Sequence, residues 1–339
     1  MLKKLLFTHT DLDGAGCRIL YEVYNHSLVK GEDYDVIHVG KPADIDEAFK
    51  NAMDQIDVNT EITFGDISPL PTEFMVQVKA DGYHIEIYDH HETAFPIQQI
   101  FENAIIVPKN PLGKMECGTS LMYIEYANRA EYDKVPYVSD SKRTLLPTFV
   151  ENVRSYDTYE FKETGNIQAR KLNILFFLLG MNSFCDHYIK RLTKEDITDE
   201  DNELFLDIVM PFIEARMMEE QAAIDKFTID QICDLGINGK NIGFTINTFG
   251  ANFSELANQW LAKHPEYDAL VNFSLPYGTF SFRTVKDDIN LAQDFALRLG
   301  GGGHPKAAGA SLDEETGDQI FSILCEYLLR INDKNKHGA

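Results

Sequence analysis

Over residues 1–110, short β-rich runs alternate with helical patterns, and this restricts the first part of the chain to a parallel sheet flanked by helices. The runs are Lys4–Thr8, Asp35–Gly40, Glu61–Asp66, His84–Asp89 and Ala104–Pro108, with helices expected near 14–29, 43–56 and 71–81. Ligands of such sheets bind beyond the carboxyl ends of the strands. His9, Asp11, Asp13, Asp66, Asp89, His90 and His91 all lie at or just past those ends. Carboxylates and imidazoles gathered there are what a site for two divalent cations requires.

Each cluster also has a plainer reading. On an extended backbone the side chains of His9, Asp11 and Asp13 share one face, and Gly14 and Gly16 let the chain turn into a helix. The same segment could be a loop with an aspartate helix cap. Asp66, in Phe64-Gly65-Asp66-Ile67-Ser68, could be a turn residue, and Asp157 a cap. Adjacent histidines between carboxylates, in Asp89-His90-His91-Glu92, are harder to explain by packing.

Residues 117–195 read as mostly helical, including the apolar stretch Leu172–Met181. Glu195–Asp207 holds seven acids and no Lys or Arg, so it reads as a solvated connector into a helix ending near Lys226. Strands are then expected at Phe227–Cys233, Asn241–Asn247, Ala269–Leu275 and Thr279–Val285, the last two turning through Pro276-Tyr277-Gly278. Helices are expected at Ser254–Lys263 and Ile289–Arg298, followed by Gly300–Gly303 with His304, a strand, a helix near 314–331 and a frayed tail, Asn332–Ala339. Ordering four glycines costs entropy, so such a run serves close backbone approach, and its amides could cradle an anion near His304 and Lys306. Thr119 or Ser120, in Cys117-Gly118-Thr119-Ser120, reads as a helix cap.

The chain has 339 residues and 44% hydrophobic residues, enough for two domain cores. No apolar stretch nears the roughly 20 residues of a membrane span, and the N-terminal apolar run meets His9 and Asp11 too soon for a signal peptide. Five scattered cysteines with no Cys-x-x-Cys pair argue against a disulfide framework and fit a reducing cytoplasm. A formal charge of −23 disfavours tight binding to long nucleic acid and leaves short anionic substrates.

Asp-x-Asp-Gly at 11–14, the strand-end Asp66, Asp89-His90-His91 and the downstream Asp157 resemble, in order, the four motifs of the DHH phosphoesterases. Arg283 and Gly301-Gly302-Gly303-His304 resemble the DHH-associated C-terminal domain. The resemblance covers roughly residues 3–330 and is nearest to the stand-alone nano-RNases. It implies an α/β fold: a parallel-sheet catalytic domain at 1–195, a helical linker at 196–226 and a smaller α/β substrate-binding domain at 227–332. It implies one metal on His9, Asp11 and Asp66, and a second on Asp13, Asp66, His90 and Asp157, with Asp66 bridging. His91 would face the substrate phosphate, Asp89 would orient the neighbouring imidazole, and Arg283, Gly301, Gly302, Gly303 and His304 would hold the nucleotide across an interdomain cleft. Many members place three residues between that first histidine and aspartate, whereas here Thr10 alone intervenes.

The expected activity is a phosphodiesterase that hydrolyses short RNA oligonucleotides or dinucleotides to mononucleotides, with two Mn²⁺ ions and Mg²⁺ as competitor. Some members also dephosphorylate 3′-phosphoadenosine 5′-phosphate. The alternatives are a RecJ-type single-strand DNA exonuclease, a cyclic di-AMP or pApA phosphodiesterase, and a non-catalytic nucleotide-binding protein. A homodimer is compatible with the sequence; a membrane or long duplex nucleic acid is not an expected partner.

Overall fold

The computed structural model describes residues 1–128, 143–228, 232–237, 239–246, 252–275, 277–312 and 316. The expected helix near 314–331 and the tail Asn332–Ala339 lie outside these, apart from residue 316, as does Pro276 of the expected turn. The chain divides into two compact units, Met1–Arg216 and Met217–Ala339.

In the first unit, β1 (Lys4–Thr8), β2 (Tyr34–His38), β3 (Glu61–Gly65), β4 (His84–Asp89) and β5 (Ile105–Ile106) form an all-parallel sheet in the order β2-β1-β3-β4-β5. Thr8 lies opposite both His38 and Gly65, and Gly65 opposite Tyr88, so the carboxyl ends of the three central strands stand level. Strand order reverses between β1 and β3, where the following loops diverge and leave a crevice.

One face of the sheet carries α2 (Ile45–Ala52) and α3 (Glu73–Ala80). Alternate residues Leu5, Phe7, Ile62, Phe64, Ile85 and Ile87 join Phe49, Met75 and Val78 in its core, where Phe7 stacks on Phe64 at 4.9 Å and on Phe49 at 5.8 Å. On the other face lies α1 (Leu12–Tyr24), enclosed by α4 (Gly118–Asn128), α5 (Leu145–Asp157) and, after the short α6 (Glu160–Thr164), α7 (Ile167–Leu192). Every residue of α1 from Leu12 to Val23 is buried, so Arg18 and Glu22 pair at 2.7 Å along its length. The apolar stretch read at 172–181 forms the middle of α7, which breaks at Gly180 (φ 71°, ψ 164°).

The acidic connector contains α8 (Asp199–Asn202), capped reciprocally by Thr198 and Asp201, and leads into α9 (Met210–Asp225). The second unit is built on a six-stranded sheet. Its strands are β6 (Cys233–Ile237), β7 (Lys240–Ile246), β8 (Ala269–Ser274), β9 (Thr279–Arg283), β10 (Gly302–Gly303) and β11 (Ala307–Ser311), in the order β10-β11-β9-β8-β7-β6. Among the described strands only β7 and β8 pair in parallel, with α10 (Phe253–Lys263) between them in sequence. The expected helix at 289–298 is split at Phe295 (φ −130°) into α11 (Leu291–Asp294) and a 3-10 turn, Ala296–Leu299.

Of the expected strand at Phe227–Cys233, residues 229–231 lie outside the described residues, 227, 228 and 232 are not in a strand, and the described strand is Cys233–Ile237. Asp234 and Gly236 are weak strand formers, and the overlooked signal was Asn238-Gly239, a pair favoured in two-residue hairpins. Ile237 and Lys240 are partners across that connection, and Gly239 has φ 76°. Among the described residues no helix is long and apolar enough to cross a membrane.

Candidate metal centre

The residues following β1, β3 and β4 meet at the level carboxyl ends of these adjacent strands. Asp11 is the N-cap of α1 and accepts from Gly14 N at 3.0 Å through Oδ1. Its Oδ2 lies 2.8 Å from Nδ1 of His9, and that nitrogen is 3.8 Å from Oδ2 of Asp66. The short spacing through Thr10 therefore still brings His9 to Asp11 and Asp66. The extended segment read over residues 9–13 ends early, because α1 begins at Leu12 and Asp13 sits in its first turn. Asp13 converges with its neighbours through the helix rather than through strand alternation.

Nε2 of His90 is buried and has three carboxylate oxygens around it: Asp157 Oδ2 at 3.3 Å, Asp66 Oδ1 at 3.4 Å and Asp13 Oδ2 at 3.8 Å. Asp157 ends α5 and reaches this point from a distant part of the chain. Donor atoms of His9, Asp11 and Asp66 form one group lying within 4.8 Å of one another, and those of Asp13, Asp66 and His90 form a second. The two groups share Asp66. Octahedral coordination at about 2.1 Å places neighbouring donors about 3 Å apart, close to the spacing around His90.

Asp66 and Asp157 supply the test of fit. Both oxygens of Asp66 and Oδ2 of Asp157 are buried and accept no hydrogen bond among the described residues. Burial, and then the charges of Asp13 and Asp11, push the carboxyls of both residues well above the usual range. Burial alone would disfavour an imidazolium at His9, yet Asp11, a Gly40 carbonyl and Asp13 raise it to about 9. Buried oxygens with no donor and several acids in mutual repulsion are a poor arrangement for a bare protein. They suit divalent cations, whose charge reverses each of these penalties.

Asp89 differs. Its Oδ1 accepts from His90 N at 2.7 Å, His91 N at 3.0 Å and His91 Nδ1 at 2.7 Å, and its Oδ2 accepts from Ser68 Oγ at 2.6 Å. Burial opposes its charge, but His91 and these donors hold its carboxyl below the usual range. With both oxygens engaged, Asp89 serves as an acceptor for His91. A carboxylate can only accept, so Nδ1 of His91 carries the proton.

Backbone geometry adds a constraint. Asp66 has φ 59°, a left-handed conformation costing about 1–3 kcal/mol outside glycine. A Cβ on Gly118 would lie 2.7 Å from Cα, Cβ and N of Asp66, so α4 meets this residue backbone to backbone. Gly118 N and Thr119 N also donate to Asp13 Oδ2 and Oδ1 at 2.6 and 2.8 Å. Ser120 caps as expected, its Oγ accepting from the Cys117 amide at 2.9 Å, while the Gly118 and Thr119 amides are taken by the carboxylate of Asp13, about a hundred residues earlier. Thr119 Oγ1 donates to the Asp13 carbonyl at 2.8 Å, and Ser120 Oγ donates to Glu116 at 2.6 Å. The partners of Gly118, Thr119 and Ser68 escaped the sequence reading because no local pattern shows a contact brought in by tertiary folding. Gly118→Ala should lower stability by about 1–3 kcal/mol through overpacking, against a helix-propensity gain of about 1 kcal/mol. Turnover should fall roughly 10–100-fold as Asp66 is displaced. Thermal melts and steady-state rates read the two effects.

In the second unit, Phe280 and Phe282 face its core, and Arg283 lies on the opposite face of β9. Arg283 Nε donates to Ser254 Oγ at 2.8 Å and Nη1 to the Phe282 carbonyl at 2.8 Å, while the guanidinium lies 5.8 Å from the Phe253 ring centroid. The glycine run is partly a strand rather than a loop: Gly302 and Gly303 pair with Gly309 and Ala308 at the sheet edge. Gly301 and Gly303 are required by close approach, since a Cβ would lie 2.0 Å from the Gly309 carbonyl oxygen and 2.6 Å from that of Ala307. His304 and Ala307 exchange backbone bonds across a two-residue turn, so by alternation the Gly303 N–H points away from β11, toward the outer side of the described sheet. Lys306 pairs with Asp287 at 2.5 Å.

No protein-family model matches the chain. It is 27% identical over 333 residues to oligoribonuclease NrnB of Bacillus subtilis (strain 168), covering 96% of this chain and 76% of that protein. Two solved structures share the fold. The pGpG-specific phosphodiesterase PggH from Vibrio cholerae has a TM-score of 0.50 at 16% identity, covering 96% of this chain and 99% of that one. RecJ in complex with Mn²⁺ from Thermus thermophilus has a TM-score of 0.52 at 16% identity, covering 96% of this chain and 52% of that one. With the four motifs in order, their side chains assembled at one end of a parallel sheet and a likeness along nearly its whole length, the chain is similar to the DHH phosphoesterases and, among them, to the nano-RNases.

Proposed function

We propose that this protein is a phosphodiesterase that hydrolyses very short RNA to mononucleotides using two divalent cations, Mn²⁺ in preference to Mg²⁺. The observation that carries the reading is the pair of donor groups sharing Asp66, whose buried oxygens accept no hydrogen bond among the described residues. His9, Asp11 and Asp66 hold one cation, and Asp13, Asp66, His90 and Asp157 hold the other. Bound there, the pair supplies an activated water and neutralises charge on the phosphate. The α4 amides orient Asp13, and the Asp89 carboxylate fixes the His91 ring so that Nε2 meets a phosphate oxygen. The 27% identity to an oligoribonuclease, with the strongly acidic composition, supports short RNA as substrate. The same site accommodates 3′-phosphoadenosine 5′-phosphate as a second substrate. Among the described residues, the buried free thiols of Cys17, Cys117 and Cys185 fit a cytoplasmic location.

Residues 1–195 form the catalytic domain in this reading, 196–226 the linker and 227–332 the substrate-binding domain. The latter contributes Arg283, Gly301, Gly302, Gly303 and His304. Nη2 of Arg283 makes no hydrogen bond among the described residues and suits a phosphate oxygen. Arg283→Ala should raise KM for a dinucleotide roughly tenfold while leaving a chromogenic phosphodiester within about twofold. Equal changes for both substrates would remove Arg283 from the nucleotide contact.

The deciding experiment is a panel with Mn²⁺: RNA 2-mers to 24-mers, matched DNA, pApA, 3′-phosphoadenosine 5′-phosphate and pyrophosphate. Fastest release of mononucleotide from the shortest RNA is the expected result. Preference for long single-stranded DNA would replace this reading with a RecJ-type exonuclease.

A further inference from the structure

Ser68 lies two residues after Asp66, in the loop that leaves β3 for α3, and its side chain turns to the neighbouring strand end. Its Oγ donates to Asp89 Oδ2 at 2.6 Å, and both residues are buried. The other oxygen of Asp89 receives two backbone amides and Nδ1 of His91. Ser68 is therefore the one side-chain hydroxyl among the described residues that holds the far oxygen of the carboxylate carrying His91. It also ties the Asp66 loop to the Asp89-His90-His91 loop, since the backbone of one and the carboxylate of the other meet through it.

We propose that Ser68 is a positioning residue for catalysis, acting through Asp89 to set the orientation of the His91 imidazole. The inference rests on the phosphodiesterase reading for the role of His91, though not for the geometry. Rotation about the Cβ–Cγ bond of Asp89 carries both oxygens with it, so the donors on Oδ1 and the Ser68 hydroxyl on Oδ2 restrain the carboxylate plane from its two sides. The direction of the His91 Nδ1–H bond follows the plane of that carboxylate, and the direction in which Nε2 points follows the ring. Removing the hydroxyl leaves a buried carboxylate oxygen without its donor and loosens the plane, which the donors on Oδ1 then hold alone. The cost falls on the aim of His91 rather than on cation binding, because both Asp89 oxygens already accept hydrogen bonds.

The test uses Ser68→Ala and Ser68→Thr in the full chain. For Ser68→Ala with a chromogenic phosphodiester, kcat should fall roughly tenfold, with KM and the Mn²⁺ dissociation constant each within about twofold of wild type. Ser68→Thr, which keeps the hydroxyl, should recover kcat to within about threefold. In Asp89→Asn, adding Ser68→Ala should cost almost nothing further, because the two residues act as one unit. A readout independent of turnover comes from protein labelled with ¹⁵N-histidine: the His91 Nδ1 proton should resonate far downfield in wild type and Ser68→Thr, and move upfield in Ser68→Ala. An unchanged resonance overturns the proposal. So does a loss of kcat matched by an equal loss of Mn²⁺ affinity, which would put the effect on Asp66. If wild type proves inactive on every phosphodiester, the functional reading fails, while the resonance still decides the role of Ser68.

Discussion

Replacing Asp66 with asparagine should abolish turnover while leaving the metal-free protein as stable as wild type or more so. The two halves of this result have the same cause. Asp66 is buried beside Asp13, Asp11 and Asp157, and its oxygens accept no hydrogen bond among the described residues, so in the metal-free state its charge is a liability. Asparagine keeps the shape and removes the charge. The same change removes the bridging oxygen pair from both donor groups, so the rate should fall by more than the roughly 10–100-fold that changes beside a metal site cost. Stabilisation by cation should go too: wild type at 100 times its dissociation constant gains about 2.7 kcal/mol, and Asp66→Asn should gain far less. Melting curves with and without Mn²⁺, set beside initial rates, check both halves. A mutant that retains most of the wild-type rate would end the bridging assignment.

The second large effect is the dependence of the metal-free protein on pH. Asp66 and Asp157 have folded-state pKa values above the unfolded ones, so the folded protein holds protons that the unfolded chain has released. Each therefore costs stability as pH rises above the ordinary carboxylate range. His9, raised to about 9, contributes stability that is complete below its ordinary value of 6.5 and is lost as pH rises through 9. Both trends run the same way, and the melting temperature of metal-free protein should fall steadily from pH 5 to pH 9. Asp89, held below its usual range, works in the opposite sense and only at the acid end, below the unfolded carboxylate pKa. Cations must displace the protons on these groups, so their affinity should rise by about tenfold per pH unit for each proton released. The melting-temperature gain on adding Mn²⁺ should accordingly be larger at pH 8 than at pH 6. A flat metal-free profile across this range would mean that the acids at the strand ends do not interact as their positions require.

Much of the first unit was legible because its signals are local. Apolar runs of five or six residues separated by amphipathic stretches place β1 to β4 within two residues of where they lie. The rule that parallel sheets bind at their carboxyl ends then picks out His9, Asp11, Asp13, Asp66 and the Asp89-His90-His91 triplet. What the pattern could not supply was how these side chains are held. The strand-like reading of residues 9–13 failed because capping by Asp11 starts α1 at Leu12. Ser68, Gly118 and Thr119 matter through partners 21 to 106 residues distant in sequence. Asp157 owed its assignment to the resemblance, since an aspartate at a helix end is commonplace by composition. In the second unit, weak strand formers hid β6, and four consecutive glycines read as a loop where two of them extend a sheet edge.

The reach from Asp13 to the first turn of α4 also bears on how the protein is made. Asp13 leaves the ribosome long before Gly118 and Thr119, and longer still before Asp157. Until those residues emerge, the growing chain carries its first acids with neither the amides nor the final carboxylate that complete their surroundings. The cluster of acids and imidazoles is therefore a late acquisition of synthesis, and a polypeptide truncated before residue 157 would have all five strands of its first sheet and an unfinished ring of carboxylates around His90.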